Sequence, residues 1–243
     1  MDRQIVLVTG ASRGIGAEVA VQLAGAGCHV VVNYREKASR AGDVVEAVRA
    51  AGGDASAVQA DLTDEQASEA MIDGIGGRFG RLDVLILNAS GGLEPGADPD
   101  YAMRLNRDAQ VRLAQLATPL MPAGGRIIFV TSHLAHFHGR KPVPADYLPI
   151  ATSKQAGEEA LRGLLETFEA SGLTFVVVSA DMIEGSIMVR LFERRDPDAV
   201  AARRRAVTQL PTAAEFATAI VRATRGSHRN GDTIYVGGQD YLS

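Results

Sequence analysis

Thr9-Gly10-Ala11-Ser12-Arg13-Gly14-Ile15-Gly16 is the stretch whose reading decides the fold. The apolar run Ile5-Val6-Leu7-Val8 precedes it and suits a buried parallel strand. Ala17-Glu18-Val19-Ala20-Val21-Gln22-Leu23-Ala24 follows, with helical apolar spacing and good helix formers. The glycines therefore fall on a strand-to-helix turn. Gly10 permits a sharp turn, Gly14 keeps a side chain off an approaching ligand, and Gly16 lets helix and sheet pack closely. A helix starting there presents free N–H groups and its positive dipole end, which suits a pyrophosphate. Glycine-rich turns are common, so the strand before and the helix after give this one its weight.

The same alternation runs along the chain. Strand-like runs fall at Ile5–Val8, Val30–Val32, Ala57–Gln59, Val84–Leu87, Arg126–Val130, Thr174–Val178 and Thr233–Val236. Helix-like stretches lie between them at Ile15–Ala26, Ser39–Ala51, Asp64–Arg78, Asp100–Leu120, Pro149–Ala170 and Thr212–Thr224. This pattern predicts an α/β fold: one doubly wound, Rossmann-like parallel sheet of about seven strands with helices on both faces and ligand at the strands' carboxyl ends. A length of 243 residues fits a single domain, 1–243, and a 46% hydrophobic content supplies its core. A net charge of −4 gives no electrostatic case for nucleic acid or an anionic membrane. Cys28, without a second cysteine, forms no internal disulfide and reads as packing. With a strand beginning almost at once and no apolar run of membrane-spanning length, no signal peptide and a cytoplasmic location are expected. The basic run Arg203-Arg204-Arg205 reads as the solvated face of a helix.

T-G-x-x-x-G-x-G is similar to the cofactor loop of the short-chain dehydrogenase/reductase family, and the resemblance extends over nearly the whole chain. It implies a nicotinamide cofactor on Gly10, Ser12, Arg13, Gly14, Ile15 and Gly16. After the second strand stands Asn33-Tyr34-Arg35, with no acid at these positions to hold a ribose 2′-hydroxyl. Arg35 and Arg13 suit a 2′-phosphate instead, so NADP(H) is the expected cofactor; two merely exposed arginines are the alternative. Asp61-Leu62 matches the family's adenine contact and equally suits a helix N-terminal turn. Asn88-Ala89-Ser90 resembles the segment that passes close to the cofactor, and Asn106 the helix residue that holds a water in the proton relay. The chain between Asn88 and Asn106 is shorter than the family's, which implies a trimmed wall beside the substrate.

Gly125–Ser132 resembles the strand that ends in the family's catalytic Ser, and Ser153-Lys154 its Lys. Four residues before Lys154, where the family has Tyr, stands Ile150, which has no proton to give. Tyr147 lies seven residues before Lys154, a spacing similar to that of the divergent enoyl reductases. Pro149 supports that register and is expected to hold Leu148 extended. His133, after Ser132, is a rival proton donor near neutral pH and equally reads as a surface histidine. Three histidines, at 133, 136 and 138, lack a Cys or an acid cluster, so a metal site is rejected. After the sixth strand the resemblance implies Pro-Gly and later a Thr, and Ser179-Ala180-Asp181-Met182-Ile183-Glu184-Gly185-Ser186 stands instead; Ile183 could offer its backbone to the carboxamide. Residues 185–210 should form a mobile substrate lid.

The resemblance implies an NADPH-dependent oxidoreductase acting on a small-molecule carbonyl or the corresponding alcohol, with Ser132, Tyr147, Lys154 and Asn106 at its centre. It also implies a homodimer or homotetramer built on the helices Asp100–Leu120 and Pro149–Ala170. Reduction of an enoyl C=C is the rival within the fold, hinted at by the Tyr-to-Lys spacing and opposed by the ordinary glycine loop. A non-catalytic NADP-binding sensor or scaffold is the rival of another class, opposed by the four catalytic residue types standing together.

Overall fold

The computed structural model describes residues 3–92, 98, 100–207 and 209–242. In chain order the strands are β1 (Gln4–Val8), β2 (Cys28–Tyr34), β3 (Asp54–Gln59), β4 (Val84–Leu87), β5 (Arg126–Ser132), β6 (Thr174–Ala180) and β7 (Asp232–Val236). The helices are α1 (Gly14–Leu23), α2 (Ala38–Ala50), α3 (Glu65–Phe79), α4 (Tyr101–Met103), α5 (Ala109–Ala117), α6 (His133–His136), α7 (Leu148–Arg162), α8 (Leu165–Ala170), α9 (Ile187–Arg195), α10 (Pro197–Ala206) and α11 (Ala213–Ala223). The strands form one parallel sheet in the order β3-β2-β1-β4-β5-β6-β7. The order reverses between β1 and β4, so the carboxyl ends of these two strands diverge into a crevice.

The strands are apolar on both faces because both faces are covered. Val6 and Val8 of β1 pack with α1, α2 and α11; Ile5 and Leu7 pack with α3, α5, α7 and α8. A smaller apolar cluster above the strand ends joins Tyr147 and Ile150 to Val189, Phe192 and Val200 of α9 and α10. Side chains start the helices where the sequence offers them. Asp64 accepts from the Ala67 N–H at 3.1 Å, and Thr212 with Glu215 forms a capping box.

Two expected helices are broken. The stretch Asp100–Leu120 becomes α4, a π-helical turn over Arg104–Asp108, α5, and a 3₁₀ turn at Thr118–Leu120. The Gln110 amide donates to the Leu105 carbonyl at 2.8 Å inside the widened turn, and Pro119 has no N–H with which to continue. The stretch Pro149–Ala170 begins one residue earlier, at Leu148, and divides after Arg162. Leu148 is helical (φ −51°, ψ −45°), not extended, because the 3₁₀ turn at Ala145–Tyr147 runs straight into α7. Residues 185–210, expected as a lid, form α9 and α10, with Thr208 outside the described residues. The trimmed wall expected between Asn88 and Asn106 falls partly on 93–97 and 99, which also lie outside them.

One hydroxyl fixes the crevice. Thr9 Oγ1 donates to the Ile86 carbonyl at 3.1 Å and accepts from the backbone N–H groups of Asn88 (2.9 Å) and Ala89 (3.0 Å). Thr9→Val keeps the shape, removes the acceptor of the Ala89 N–H and leaves the Asn88 N–H with only the Ile86 carbonyl at 3.1 Å. At about 1–3 kcal/mol for an unsatisfied group, urea unfolding should show a loss of roughly 1–3 kcal/mol. Thr9→Ser should stay within about 1 kcal/mol of wild type. An equally stable Thr9→Val would show that the hydroxyl does not hold the strand ends.

Candidate active site

The glycine loop is built to leave room. Gly14 has φ +58°, and a Cβ there would have nothing within 4 Å. Gly16 is the opposite case, since a Cβ there would stand 2.6 Å from the Asn88 amide. That amide in turn donates to the Thr9 carbonyl at 2.9 Å. Arg13, extended at the N-cap of α1, gives the helix no side-chain cap, so the first turn's N–H groups face outward.

Several residues expected at the cofactor also hold contacts within the protein. Asn33 is buried; its Oδ1 accepts from the Gly10 N–H at 3.1 Å, and its amide donates to the Ala60 carbonyl at 3.2 Å. Asp61 Oδ1 accepts from both the N–H and the hydroxyl of Thr63, holding the turn into α3, and Leu62 packs in the core. Arg35 donates to the Tyr101 phenol and pairs with Glu36 at 2.8 Å. Spacing gave no sign of Tyr101, because α4 comes against the end of β2 only through the fold.

A cavity of about 220 Å³ opens at the strand ends. Ile15, Asn88 and Ser90 line it from the glycine-loop side, Ser132, Tyr147 and Lys154 from β5 and α7, and Ile183 from the end of β6. Seven residues are two helical turns, so a Tyr at the residue before α7 shares a face with Lys154. Tyr147 Oη lies 3.1 Å from Ser132 Oγ. Ser132 is fixed as the N-cap of α6, accepting from the Ala135 N–H at 3.3 Å. Ile150 is buried among Tyr147, Leu134 and Phe192 and serves packing.

Burial governs the titrating groups. It pushes the Tyr147 phenol up, opposed by the bond to Ser132. It pushes the Lys154 ammonium down to about 8, and the Nζ stands 5.9 Å from the Phe129 ring centroid. His133 is fully buried, contrary to the surface reading. Its Nδ1 lies 2.8 Å from Ser179 Oγ, and burial takes it down to about 4, so it is neutral where a donor is needed. Asn106 sits in the π-helical turn with its amide donating to the Gly91 carbonyl and to Ser153 Oγ, both at 2.9 Å. It therefore ties the segment after β4 to α7. His136 pairs with Glu158 and Tyr235, and no cluster of three metal-ligating residues occurs among the described residues. Arg203 is not on a solvated face; it is bound to Asp181, in the segment that stands instead of the family's Pro-Gly.

Residues 4–196 match the family described as short chain dehydrogenase. The chain belongs to this family. It is 38% identical over 177 residues to a hydroxynaphthalene reductase of Aspergillus fumigatus, covering 70% of this chain and 63% of that protein. The chain thus spans about three-fifths of the length of that relative. The structure is similar to the angucycline C-6 ketoreductase LanV with bound NADP (TM-score 0.81, 27% identity, 99% of this chain and 96% of that one). It is equally similar to a short chain dehydrogenase from Burkholderia cenocepacia in complex with NADP (TM-score 0.81, 30% identity, 96% of each chain). No helix among the described residues is long and apolar enough to cross a membrane.

The buried Lys154 makes stability depend on pH in a defined direction. Its ammonium titrates near 10.5 when unfolded and at about 8 when folded. Between these values the unfolded chain holds a proton that the folded one has released, so this contribution to stability rises with pH. Below pH 8 the penalty is complete, at most about 3 kcal/mol from ~1.4 kcal/mol per pH unit. Lys154→Met should therefore gain on wild type at pH 7, with the advantage shrinking as pH rises from 8 towards 10. An advantage that does not change with pH, by urea unfolding of both proteins, would contradict the burial of a titrating Lys154.

Proposed function

We propose that this chain is an NADPH-dependent reductase of a carbonyl carried on an apolar body, or the reverse alcohol dehydrogenase. The observation that carries the reading is the Ser132–Tyr147 hydroxyl pair at 3.1 Å on the wall of a cavity that Lys154 also lines. The reductase relative and the NADP-bound neighbours support it.

The residues present fit the cofactor. The open space at Gly14 and the uncapped start of α1 suit a pyrophosphate. Arg13 and Arg35 would hold the 2′-phosphate. Arg35 is now paired with Glu36, whose side chain is 60% exposed. Such an exposed pair is worth under about 1 kcal/mol and yields readily to a doubly charged phosphate bound through two N–H groups. Lys154 would hold the nicotinamide ribose. When bound, the nicotinamide supplies a hydride for the carbonyl carbon.

The chain supplies the rest. Ser132 is placed to donate to the carbonyl oxygen. Tyr147, with its phenol held up by burial, is in the protonated form that reduction needs at neutral pH. Once its proton is given up, a phenolate beside Lys154 favours the ammonium, so the two buried groups support each other's charged forms. Leu134, Val189 and Phe192 make the outer wall apolar, which suits the body of the substrate. Homo-oligomeric assembly through α5 and α7 rests on the family resemblance, and light scattering would test it by returning a mass above that of one chain.

NADPH oxidation should be followed with ketones, quinones and enoyl thioesters, together with Tyr147→Phe. A ketone or quinone should be reduced, and Tyr147→Phe should lower turnover by about 10²–10⁴ while NADPH affinity changes little. Oxidation with enoyl thioesters alone would move the assignment to C=C reduction. Absence of turnover with every class would remove the enzyme reading. Tighter binding of NADH than NADPH would remove the role given to Arg13 and Arg35.

A further inference from the structure

Asp181 and Arg203 meet beneath α10. The Asp181 side chain is 1% exposed and that of Arg203 11%. Arg203 Nε lies 3.0 Å from both carboxylate oxygens, and Nη2 also donates to Oδ2. The same carboxylate accepts from the Met182 N–H at 2.7 Å and the Gly238 N–H at 3.1 Å. On its other side Arg203 donates to Asp240 at 2.6 and 2.9 Å, and its guanidinium lies 4.6 Å from the Tyr241 ring centroid. One side chain of α10 thus joins the end of β6 to the segment after β7.

What hangs from this joint faces the cavity. Asp181, Met182 and Ile183 line it from below. Val189 and Phe192 of α9 line it from above, and Val200 of α10 shares their apolar cluster. The Phe192 ring lies 5.9 Å from the ring of Tyr147. The other ion pairs of this region, Arg204–Glu184, Arg204–Glu193 and Arg195–Asp146, are exposed and hold geometry weakly. The pair at Arg203 is buried and bidentate, the arrangement that fixes orientation.

We propose that Arg203 is a positioning residue that sets α9 against Tyr147 and thereby sets affinity for the carbonyl substrate. This rests on the reductase reading above. Asp181 is its anchor.

The test uses the full chain with Arg203→Met, Asp181→Asn and the double variant. Arg203→Met alone leaves a buried carboxylate unpaired and is expected to lose stability. The double variant removes that charge and keeps an amide oxygen for the Met182 N–H, so its melting temperature should return towards wild type. KM for a reduced ketone should stand at least about tenfold above wild type in Arg203→Met, assayed below its melting temperature, with kcat and NADPH affinity within about threefold, and the double variant should keep that raised KM. Hydrogen exchange supplies a readout that needs no substrate: amides of residues 187–195 should exchange at least about tenfold faster in the double variant, with those of β4 and β5 unchanged. If the wild type reduces no carbonyl, the reductase reading fails, and exchange alone decides the positioning of α9. Unchanged exchange, or a double variant with wild-type KM, would overturn the role of Arg203.

Discussion

The crevice between the carboxyl ends of β1 and β4 is the constraint on which the rest depends, and the Thr9 hydroxyl sets it. Parallel strands leave their last N–H groups without partners once they diverge. Thr9 satisfies two of these groups on the chain leaving β4 and returns its own proton to Ile86. The segment after β4 is thereby fixed against the glycine loop, and the Asn88 amide occupies the space that a side chain at residue 16 would need. From there the ties continue outward. Gly91 is held by Asn106, and Asn106 by Ser153 on α7, the helix that carries Lys154.

Desolvation is the second physical theme. Tyr147 and Lys154 are buried on the same helical face, and burial opposes the charged form of each. A neutral phenol and an easily discharged ammonium are stable as they stand. His133, buried in the same region, titrates too low to compete. The displaced tyrosine is therefore placed by the 3₁₀ turn that leads into α7, and Ile150 fills the position that the usual spacing would give to Tyr.

The fold was legible because the features that decide it are local. Apolar runs three to five residues long, helical periodicity between them and a Gly-rich turn after the first strand define a doubly wound sheet with little else needed. Tyr147 and Lys154 were picked out by the resemblance, with Tyr147 expected in a loop; the 3₁₀ turn that sets it two helical turns before Lys154 was not legible. Nor were interactions that cross the chain. Asp181 stood out as a departure, and Arg203 as part of a charged run, but nothing in their spacing pairs them across 22 residues, or pairs Arg203 with Asp240 across 37. Asn33 was read as a cofactor contact, and its side chain is taken by Gly10 and Ala60. The helical state of Leu148 shows the limit of a local rule. A residue before proline avoids the helical region on average, and a turn already wound on its N-terminal side outweighs that preference here.

The central claim is that Ser132, Tyr147 and Lys154 present a carbonyl for reduction in the cavity at the strand ends. Transfer from NADPH carrying deuterium at both nicotinamide C4 positions, followed by mass and NMR analysis of the product, tests it most directly. The account predicts one deuterium on the carbinol carbon of the alcohol and none exchanged from solvent at that position. Deuterium on a carbon that had been part of a C=C bond, or an unlabelled carbinol carbon, would contradict it.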